Sequence, residues 1–413
     1  MHSRPSIHKR FWTAGVWQVL LIALVVRSTW LVAKHAELQK DPDAYRHLAE
    51  TLVQKGCYSW DEKRPSKALG SIPVSDSLHA TAFRPPLYPV LLSIFAIPTG
   101  TVPVQAAAGL HLILGLATVL LVYDLARRLC SQESQSANDG ERIAFWAAML
   151  VACDPLLLNQ SSLIMTETLA TFFVILLLWL WNQSHSESRS LSWLAMAGLC
   201  SGLACLARPT FLPWGMLLIL GALFCNSSDG VLRAGLPQKA AWKRAAIYGL
   251  AMLLPLLLWG GRNALVFGTP IVTTTHGGYT LWLANNPEFY QYLREDRSGL
   301  PWQSTKLDEA VEADWQELFK TSLQQAEQKV PRDSSPHEWA ARKTELALNQ
   351  KLQQQGKQQL LQDPAGAVQS SLYRPRLFLS RTPPASCNRR NLPKQKLCDT
   401  SRPLGSSPSI CLL

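Results

Sequence analysis

Residues 12–33 read WTAGVWQVLLIALVVRSTWLVA, an apolar run whose one charged side chain is Arg27. The run follows a basic start and is longer than the apolar core of a signal peptide, which usually has about 7–15 residues. It matches the ~20 residues that an α-helix needs to cross a bilayer, and no small-residue cleavage site follows it cleanly. We therefore predict an uncleaved first transmembrane helix.

The rest of the chain repeats this pattern, with long apolar blocks separated by polar stretches. Hydrophobic residues make up 47% of the 413 residues and charged residues only 17%, which is typical of a membrane protein. Six further blocks cover residues 104–126, 143–158, 163–181, 191–207, 211–225 and 245–260. The sequence therefore predicts an all-α integral membrane protein, a polytopic bundle of about seven transmembrane helices.

The basic residues in the short loops predict the orientation, because Lys and Arg are retained on the cytoplasmic side. Alternate loops carry them: Arg127, Arg128, Arg142, Arg189, Arg233, Lys239, Lys243 and Arg244. The segments 34–103 and everything after 260 are then extracytoplasmic, provided that the short run 86–97 is an interfacial helix and does not span. We expect a multi-pass protein of the plasma or inner membrane.

The composition excludes several other classes. The net charge of +11 comes from loops and a basic C-terminal stretch, so membrane lipids are expected partners and nucleic acid is not. None of the nine cysteines forms a pair with zinc-ligand spacing, which argues against a metal cluster or a disulfide framework. We expect a transmembrane domain over 1–262, an extracytoplasmic polar helical region over 263–373, and a disordered or aberrant basic tail over 374–413.

The first predicted outer loop contains the densest group of candidate functional residues. Asp41, Pro42 and Asp43 precede Tyr45, which starts an apolar repeat at helical spacing through residue 53. Asp41 is predicted at the N-cap of this amphipathic helix, with Pro42 at the first helical position, and capping alone would account for its presence. The same loop contains a second acidic residue and, later, the sequence RPPLYP over 84–89.

Taken together, these motifs resemble the polyprenyl-phosphate-sugar-dependent membrane glycosyltransferases of the GT-C fold, in the branch of protein mannosyltransferases and aminoarabinose transferases. That family has Asp-x-x-x-Tyr-x-x-Leu-Ala in its first outer loop and then Pro-Pro-Leu. The order continues along the chain as Asp154-Pro155, Thr166-Glu167, Ala207-Arg208-Pro209, Arg262-Asn263, His276-Gly277-Gly278 and Asn285-Asn286-Pro287. The resemblance covers about residues 12–290.

The resemblance implies transfer of a sugar from a polyprenyl phosphate to a protein, lipid or glycan. Such a reaction needs a base for the proton of the acceptor and cations for the phosphate that leaves. The resemblance implies Asp41 as the general base, with Asp43 as the second candidate or as a helper that orients the acceptor or a metal ion. Candidate phosphate ligands are Arg27, Arg84, Arg208 and Arg262, each of which could instead snorkel or pair with an acid.

Further candidates for substrate contacts can each be explained by a structural role instead. Glu167 could complement a helix dipole, Asp154 could form a turn, and Asn285 is a turn former before proline. His276 could be an ordinary loop histidine. Tyr45 is expected to contact substrate.

Three functional readings follow from the sequence: an inverting glycosyltransferase, a transporter or flippase of a lipid-linked or anionic substrate, and an inactive truncated family member. Internal repeats, which transporters usually show, are not recognisable. The basic tail and the lack of recognisable later helices favour neither active reading. A lipid-linked sugar is the expected donor, a divalent metal ion is a possible cofactor, and the sugar and acceptor are unspecified.

Overall fold

The computed structural model describes residues 14–60, 79–133, 137–184, 191–224, 238–295, 302, 304–329 and 335–379. Within these residues the chain is almost entirely helical. Its one sheet is an antiparallel pair of two-residue strands, β1 (Ser59–Trp60) and β2 (His79–Ala80). The all-α fold is thus confirmed apart from this short pair.

Every predicted apolar block is a helix. The helices of the N-terminal part are α1 (Ala14–Ala33), α2 (His35–Leu38), α3 (Tyr45–Lys55), α4 (Leu87–Ala96), α5 (Val104–Glu133), α6 (Ala137–Cys153), α7 (Pro155–Ser161), α8 (Glu167–Ser184), α9 (Leu191–Ala207), α10 (Phe211–Phe224) and α11 (Gln238–Phe267). Block 143–158 is predicted as one continuous block, but its helix breaks at Asp154. The chain bends by 49° between α6 and α7 at this break. Pro155 lacks the amide that would continue α6, which explains the break.

Three of these helices, α1, α5 and α11, are long and apolar enough to cross a membrane, and the bent pair α6–α7 could form a fourth span. Helices α4, α9 and α10 are apolar but shorter. Large apolar side chains stay exposed on α1 and α11, such as Val32 at 78% and Leu265 at 90%. Such surfaces suit contact with lipid. The count of seven spans stays a prediction.

The chain divides into two compact units. The first comprises 1–275 with 319–345, within the described ranges. Its core is formed by buried side chains of α3, α4, α5, α8, α9 and α11, including Tyr45, Tyr88, Leu169, Leu194 and Tyr248. A second cluster joins α1, α5 and α6 around Val19, Ala23 and Ala148.

The second unit comprises 276–318 with 346–413, again within the described ranges. It contains α12 (Gly277–Ala284), α13 (Pro287–Arg294) and α16 (Pro364–Leu379), while α14 (Thr305–Lys329) and α15 (Pro336–Gln362) are divided between the units. Helices α14 and α15 both lie in the polar helical region predicted over 263–373. Phe289, Tyr290 and Leu293 of α13 form its small core.

The last helix, α16, ends at Leu379 and so includes the first residues of the predicted basic tail. The remainder of that predicted tail lies outside the described residues. The same holds for the basic N-terminal start and for Arg189 and Arg233 in the predicted cytoplasmic loops.

Candidate functional site

Asp41 caps α3, but from a different position than the sequence predicted. The N-cap is Ala44, whose φ of 57° is the one positive value of a non-glycine residue in the described chain. The Ala44 amide donates to the Asp41 carbonyl, and this turn brings the Asp41 side chain back over the helix, where Oδ2 accepts from the His47 amide at 3.0 Å. The predicted N-cap at Asp41 and first turn at Pro42 are therefore wrong by three residues.

The other oxygen of Asp41 is buried and has no hydrogen-bond partner among the described residues. Burial raises the pKa of Asp41 to about 6, and the hydrogen bonds from backbone amides, chiefly that of His47, lower it only in part. A carboxylate with a pKa near neutrality and an unused oxygen is suited to accept a proton. Capping and proton transfer use different oxygens and do not exclude each other.

Asp43 lies beside Arg84 rather than beside another acid. Its Oδ1 accepts from Arg84 Nη2 at 2.7 Å, and the Arg84 guanidinium lies 5.8 Å from the Tyr45 ring centroid. Only 11% of the Arg84 side chain is exposed. The structure thus brings together three predicted site residues, from the loop before α3, from α3 itself and from the segment before α4.

Glu167 and Arg208 form a second acid–arginine pair, with Nη2 and Oε1 3.2 Å apart. Arg208 is one-third exposed, and Glu167 Oε2 has no hydrogen-bond partner among the described residues. Glu167 interacts electrostatically with Asp43, and Tyr45 interacts with both ion pairs. The two pairs therefore belong to one polar cluster around Tyr45.

Tyr88 packs against this cluster. Its ring packs edge-on against Tyr45, with centroids 5.4 Å apart, and its hydroxyl is 2.7 Å from His111 Nε2. His111 Nδ1 lies 2.7 Å from the Ser161 carbonyl, which can only accept, so Nδ1 carries the hydrogen and a neutral ring accepts from Tyr88 through Nε2. No sequence motif indicates His111, which lies inside an apolar block.

Two other predicted candidates are engaged in packing and capping. Arg27 is 3% exposed inside α1, and its Nη2 donates to the Val151 carbonyl at 2.9 Å. Asp154 caps α7, where its carboxylate accepts from the Leu157 amide at 2.8 Å, and it also interacts electrostatically with Arg27. These contacts hold α1, α6 and α7 together and do not include Asp41 or its ion-paired neighbours.

Arg262 is engaged with the backbone. Its guanidinium donates to the Thr81 carbonyl at 2.9 Å and to the Tyr58 carbonyl at 3.0 Å. Close by lies Glu345, a residue that the sequence did not single out. Its carboxylate is 4% exposed and accepts from Thr81, Ala82 and Thr275, and burial raises its pKa. Neither periodicity nor a motif could connect Glu345 with a segment 263 residues away.

The remaining two candidates lie in the second unit. His276 precedes α12 and stacks on Tyr279, with ring centroids 5.3 Å apart. Asn285 is buried and accepts a hydrogen bond from the Tyr290 hydroxyl at 2.9 Å. Its amide nitrogen donates to the Leu281 carbonyl, so Asn285 joins α12 to α13.

A metal ion finds no fitting ligand set in the part of the chain that the structure describes. No group of three or more His, Cys, Asp or Glu side chains is arranged to hold one there. In the cluster itself, Asp43 and Glu167 each face an arginine, which disfavours a cation. We derive no step through a metal.

Part of the chain resembles a known protein family. Residues 83–259 match the family model of the dolichyl-phosphate-mannose-protein mannosyltransferases. The match includes Arg84, Glu167 and Arg208 and confirms the resemblance to GT-C glycosyltransferases that the motifs indicated. No curated protein matches the sequence at a significant level.

Among solved structures, the chain is similar to the oligosaccharyltransferase of Archaeoglobus fulgidus, determined in complex with Zn and sulfate. The identity is 15% and the TM-score 0.38, over 86% of this chain and 52% of the other. The chain thus spans about half the length of that protein. A TM-score of this size does not define a shared fold.

Proposed function

We propose that the chain is a membrane glycosyltransferase that moves a sugar from a polyprenyl-phosphate donor to a hydroxyl or amine acceptor on the extracytoplasmic side, with Asp41 as general base. The observation that carries the proposal is the buried Asp41 carboxylate, whose pKa is about 6 and whose Oδ1 has no hydrogen-bond partner among the described residues. Asp41 interacts electrostatically with Tyr88, which packs against Tyr45 in the cluster of the two acid–arginine pairs. The family match over 83–259 supports the class of reaction.

The base acts on the acceptor. Asp41 Oδ1 takes the acceptor proton as the acceptor oxygen or nitrogen bonds to the anomeric carbon, and the bond from that carbon to the phosphate oxygen breaks. Polyprenyl phosphate leaves with the bonding pair. A single displacement of this kind inverts the anomeric configuration. While Asp41 Oδ2 holds the His47 amide, the carboxylate keeps its orientation.

The charge on the leaving phosphate requires cations, and the four candidate arginines differ in exposure and in the contacts that they already make. Arg208 is the most accessible member of the two ion pairs, at 33% exposure, and Arg84 lies nearest to Tyr45. A phosphate can share the guanidinium hydrogens with Glu167 and Asp43, since arginine has five N–H donors. Arg27 and Arg262 already donate to backbone carbonyls, so we assign phosphate binding to Arg208 and Arg84.

Tyr45 and Glu167 complete the substrate contacts in this proposal. Glu167 Oε2 has no hydrogen-bond partner among the described residues and can accept from a sugar hydroxyl. His276 and Asn285 stay candidates for acceptor contacts, and Asp43 stays the second candidate for the base. Asp154 and Arg27 hold α1, α6 and α7 together in this proposal.

The test measures release of polyprenyl phosphate by the purified full-length protein supplied with polyprenyl-phosphate hexoses and pentoses. We expect Asp41→Asn to lower the rate about 10²–10⁴-fold, the usual contribution of a general base. Glu37→Gln is the matched control, because Glu37 lies in α2, a few residues before Asp41, and its carboxylate pairs with exposed Lys40. Unchanged release by Asp41→Asn contradicts the assignment, and accumulation of intact donor in vesicles would indicate a transporter.

A further inference from the structure

The segment 81–85, which carries Arg84 into the site, is held by hydrogen bonds along its whole length. The Thr81 amide donates to the Tyr58 carbonyl at 3.1 Å, and the Phe83 amide donates to Thr81 Oγ1 at 3.0 Å. The Tyr58 hydroxyl donates to the carbonyl of Arg84 at 3.1 Å. A loop of this length would ordinarily leave several of these groups to water.

Glu345 supplies the central contacts of this segment. Its Oε2 accepts from Thr81 Oγ1 at 2.8 Å, and its Oε1 accepts from the Ala82 amide at 2.9 Å and from Thr275 Oγ1 at 2.5 Å. The Thr275 amide also donates to the Ala82 carbonyl at 3.0 Å. The ionised carboxylate accepts from all three groups, of which the Ala82 amide can only donate and the two threonine hydroxyls can also accept.

Arg262 holds the same segment from the other side. It donates to the carbonyls of Thr81 and Tyr58, and it interacts electrostatically with Glu345. One buried carboxylate and one guanidinium thus satisfy the amide of Ala82 and the carbonyl of Thr81 in a segment far from both along the chain. Burying two charges is costly, and here each is compensated by several hydrogen bonds.

We propose that Glu345, together with Arg262, is a positioning residue for the transfer reaction: it fixes segment 81–85 so that the Arg84 guanidinium meets Asp43 and the donor phosphate. The inference rests on the proposed function and adds to it a residue from α15 that touches neither substrate nor base. Its effect passes through the backbone of the segment, because Arg84 is three residues after Thr81.

The first test is hydrogen exchange of the amides of 81–84 in the full-length protein. Glu345→Gln replaces a charged acceptor by a neutral amide, whose hydrogen bonds with the segment are weaker, so we expect these amides to exchange about tenfold faster or more. Glu338→Gln is the control, because Glu338 lies on the same helix and makes a partly exposed pair with Arg342. Exchange unchanged in Glu345→Gln would overturn the proposal.

The second test asks whether the effect passes through Arg84. We expect Glu345→Gln to lower donor cleavage about tenfold in the wild-type background and to lower it little further in an Arg84→Lys background. Thr81→Val removes the same contact from the other partner and should reproduce the loss. Multiplicative effects of Glu345→Gln and Arg84→Lys would indicate an independent structural role and overturn the proposal.

The two proposals fail in different ways. A wild-type protein that cleaves no polyprenyl-phosphate sugar contradicts the proposed function, whereas the exchange of 81–84 still shows whether Glu345 holds the segment. Normal cleavage by Glu345→Gln, with faster exchange, contradicts the positioning role alone.

Discussion

The burial of Asp41 lowers the stability of the folded protein but favours the proposed proton transfer. Burial raises its pKa from the usual 3.8 to about 6, which means that the charged form destabilises the folded protein. A pKa difference of this size corresponds to at most about 3 kcal/mol at pH 8. The raised pKa is what makes the carboxylate useful as a base at neutral pH.

Asp41→Asn should therefore stabilise the protein above pH 6. The folded-state pKa lies above the unfolded one, so the penalty is absent below about pH 4 and complete above about pH 7. We expect the melting temperature of Asp41→Asn to exceed that of the wild type by a few degrees at pH 8 and to equal it at pH 4. A variant less stable than wild type at pH 8 would show that the ionised carboxylate is a net stabilising group.

Replacing Arg208 should mainly affect donor binding, whereas replacing Arg262 should mainly affect stability. Arg208→Ala should raise the donor KM about 10–100-fold with little loss of folded protein, because its side chain is one-third exposed. Arg262→Ala should cost about 2–4 kcal/mol of stability, because it removes the guanidinium donor from the Thr81 carbonyl and one of the two donors from the Tyr58 carbonyl. Kinetics and thermal melting of the two purified variants check this, and equal effects on KM would contradict the assignment of phosphate binding.

The sequence predicts which residues are candidates for the site, but it does not predict the role of each one. In the structure, Asp43, Arg84, Glu167 and Arg208 form one cluster around Tyr45, and Asp41 interacts electrostatically with Tyr88, which packs against Tyr45. Motif order singled out Asp41 and these four ion-paired residues. It also singled out Arg27 and Arg262, because an arginine at a helix end looks the same in sequence whether it binds a ligand or a carbonyl. That distinction depends on neighbours in space.

Among the helices, the contact of α9 with α11 depends on two glycines spaced four residues apart. A Cβ at Gly198 would lie 2.2 Å from the Tyr248 carbonyl oxygen, and one at Gly202 would lie 2.3 Å from that of Met252. Small residues at this spacing let two helix backbones approach closely in a membrane. No flexible side chain can move aside here, since the obstructing atoms belong to the backbone.

Gly202→Leu should therefore abolish the α9–α11 contact and cost more than about 3 kcal/mol. The yield of monodisperse protein in detergent measures the loss. Gly261→Ala on α11 is the control, because nothing lies within 4 Å of its added Cβ, and it should fold normally. Normal yield from Gly202→Leu would mean that the two helices do not pack this closely.

Helix positions followed from the sequence because long apolar blocks need no knowledge of tertiary contacts. The break at Asp154 was missed, although Pro155 marks it, because the apolar pattern continues through the proline. The start of α3 was misplaced because alanine at positive φ is rare, and no residue preference announces it.

For the whole molecule, the distribution of basic residues predicts that the loop with Asp41 and the end of α5 lie on opposite sides of the membrane. Cys57 and Cys130 are both partly exposed and lie on these two sides in the prediction. We expect a membrane-impermeant maleimide added to intact cells to modify Cys57 and to spare Cys130 until the membrane is opened. The reverse labelling would invert the predicted orientation.

The contacts of Glu345 with Thr81 and Ala82 join residues more than 260 positions apart along the chain. The sequence predicts a polar helical region over 263–373 and gives no reason to single out one glutamate within it. Only the folded chain shows that this carboxylate is buried and where its donors lie.

The most direct measurement of the central claim is the pH dependence of polyprenyl phosphate release by the wild-type protein and by Asp41→Asn. The wild-type kcat/KM should fall about tenfold per pH unit below about pH 6, because protonated Asp41 cannot act as a base, and should level off above it. Asp41→Asn should be about 10²–10⁴-fold slower near neutrality and lack this dependence. A variant that keeps the wild-type rate and profile would contradict the account.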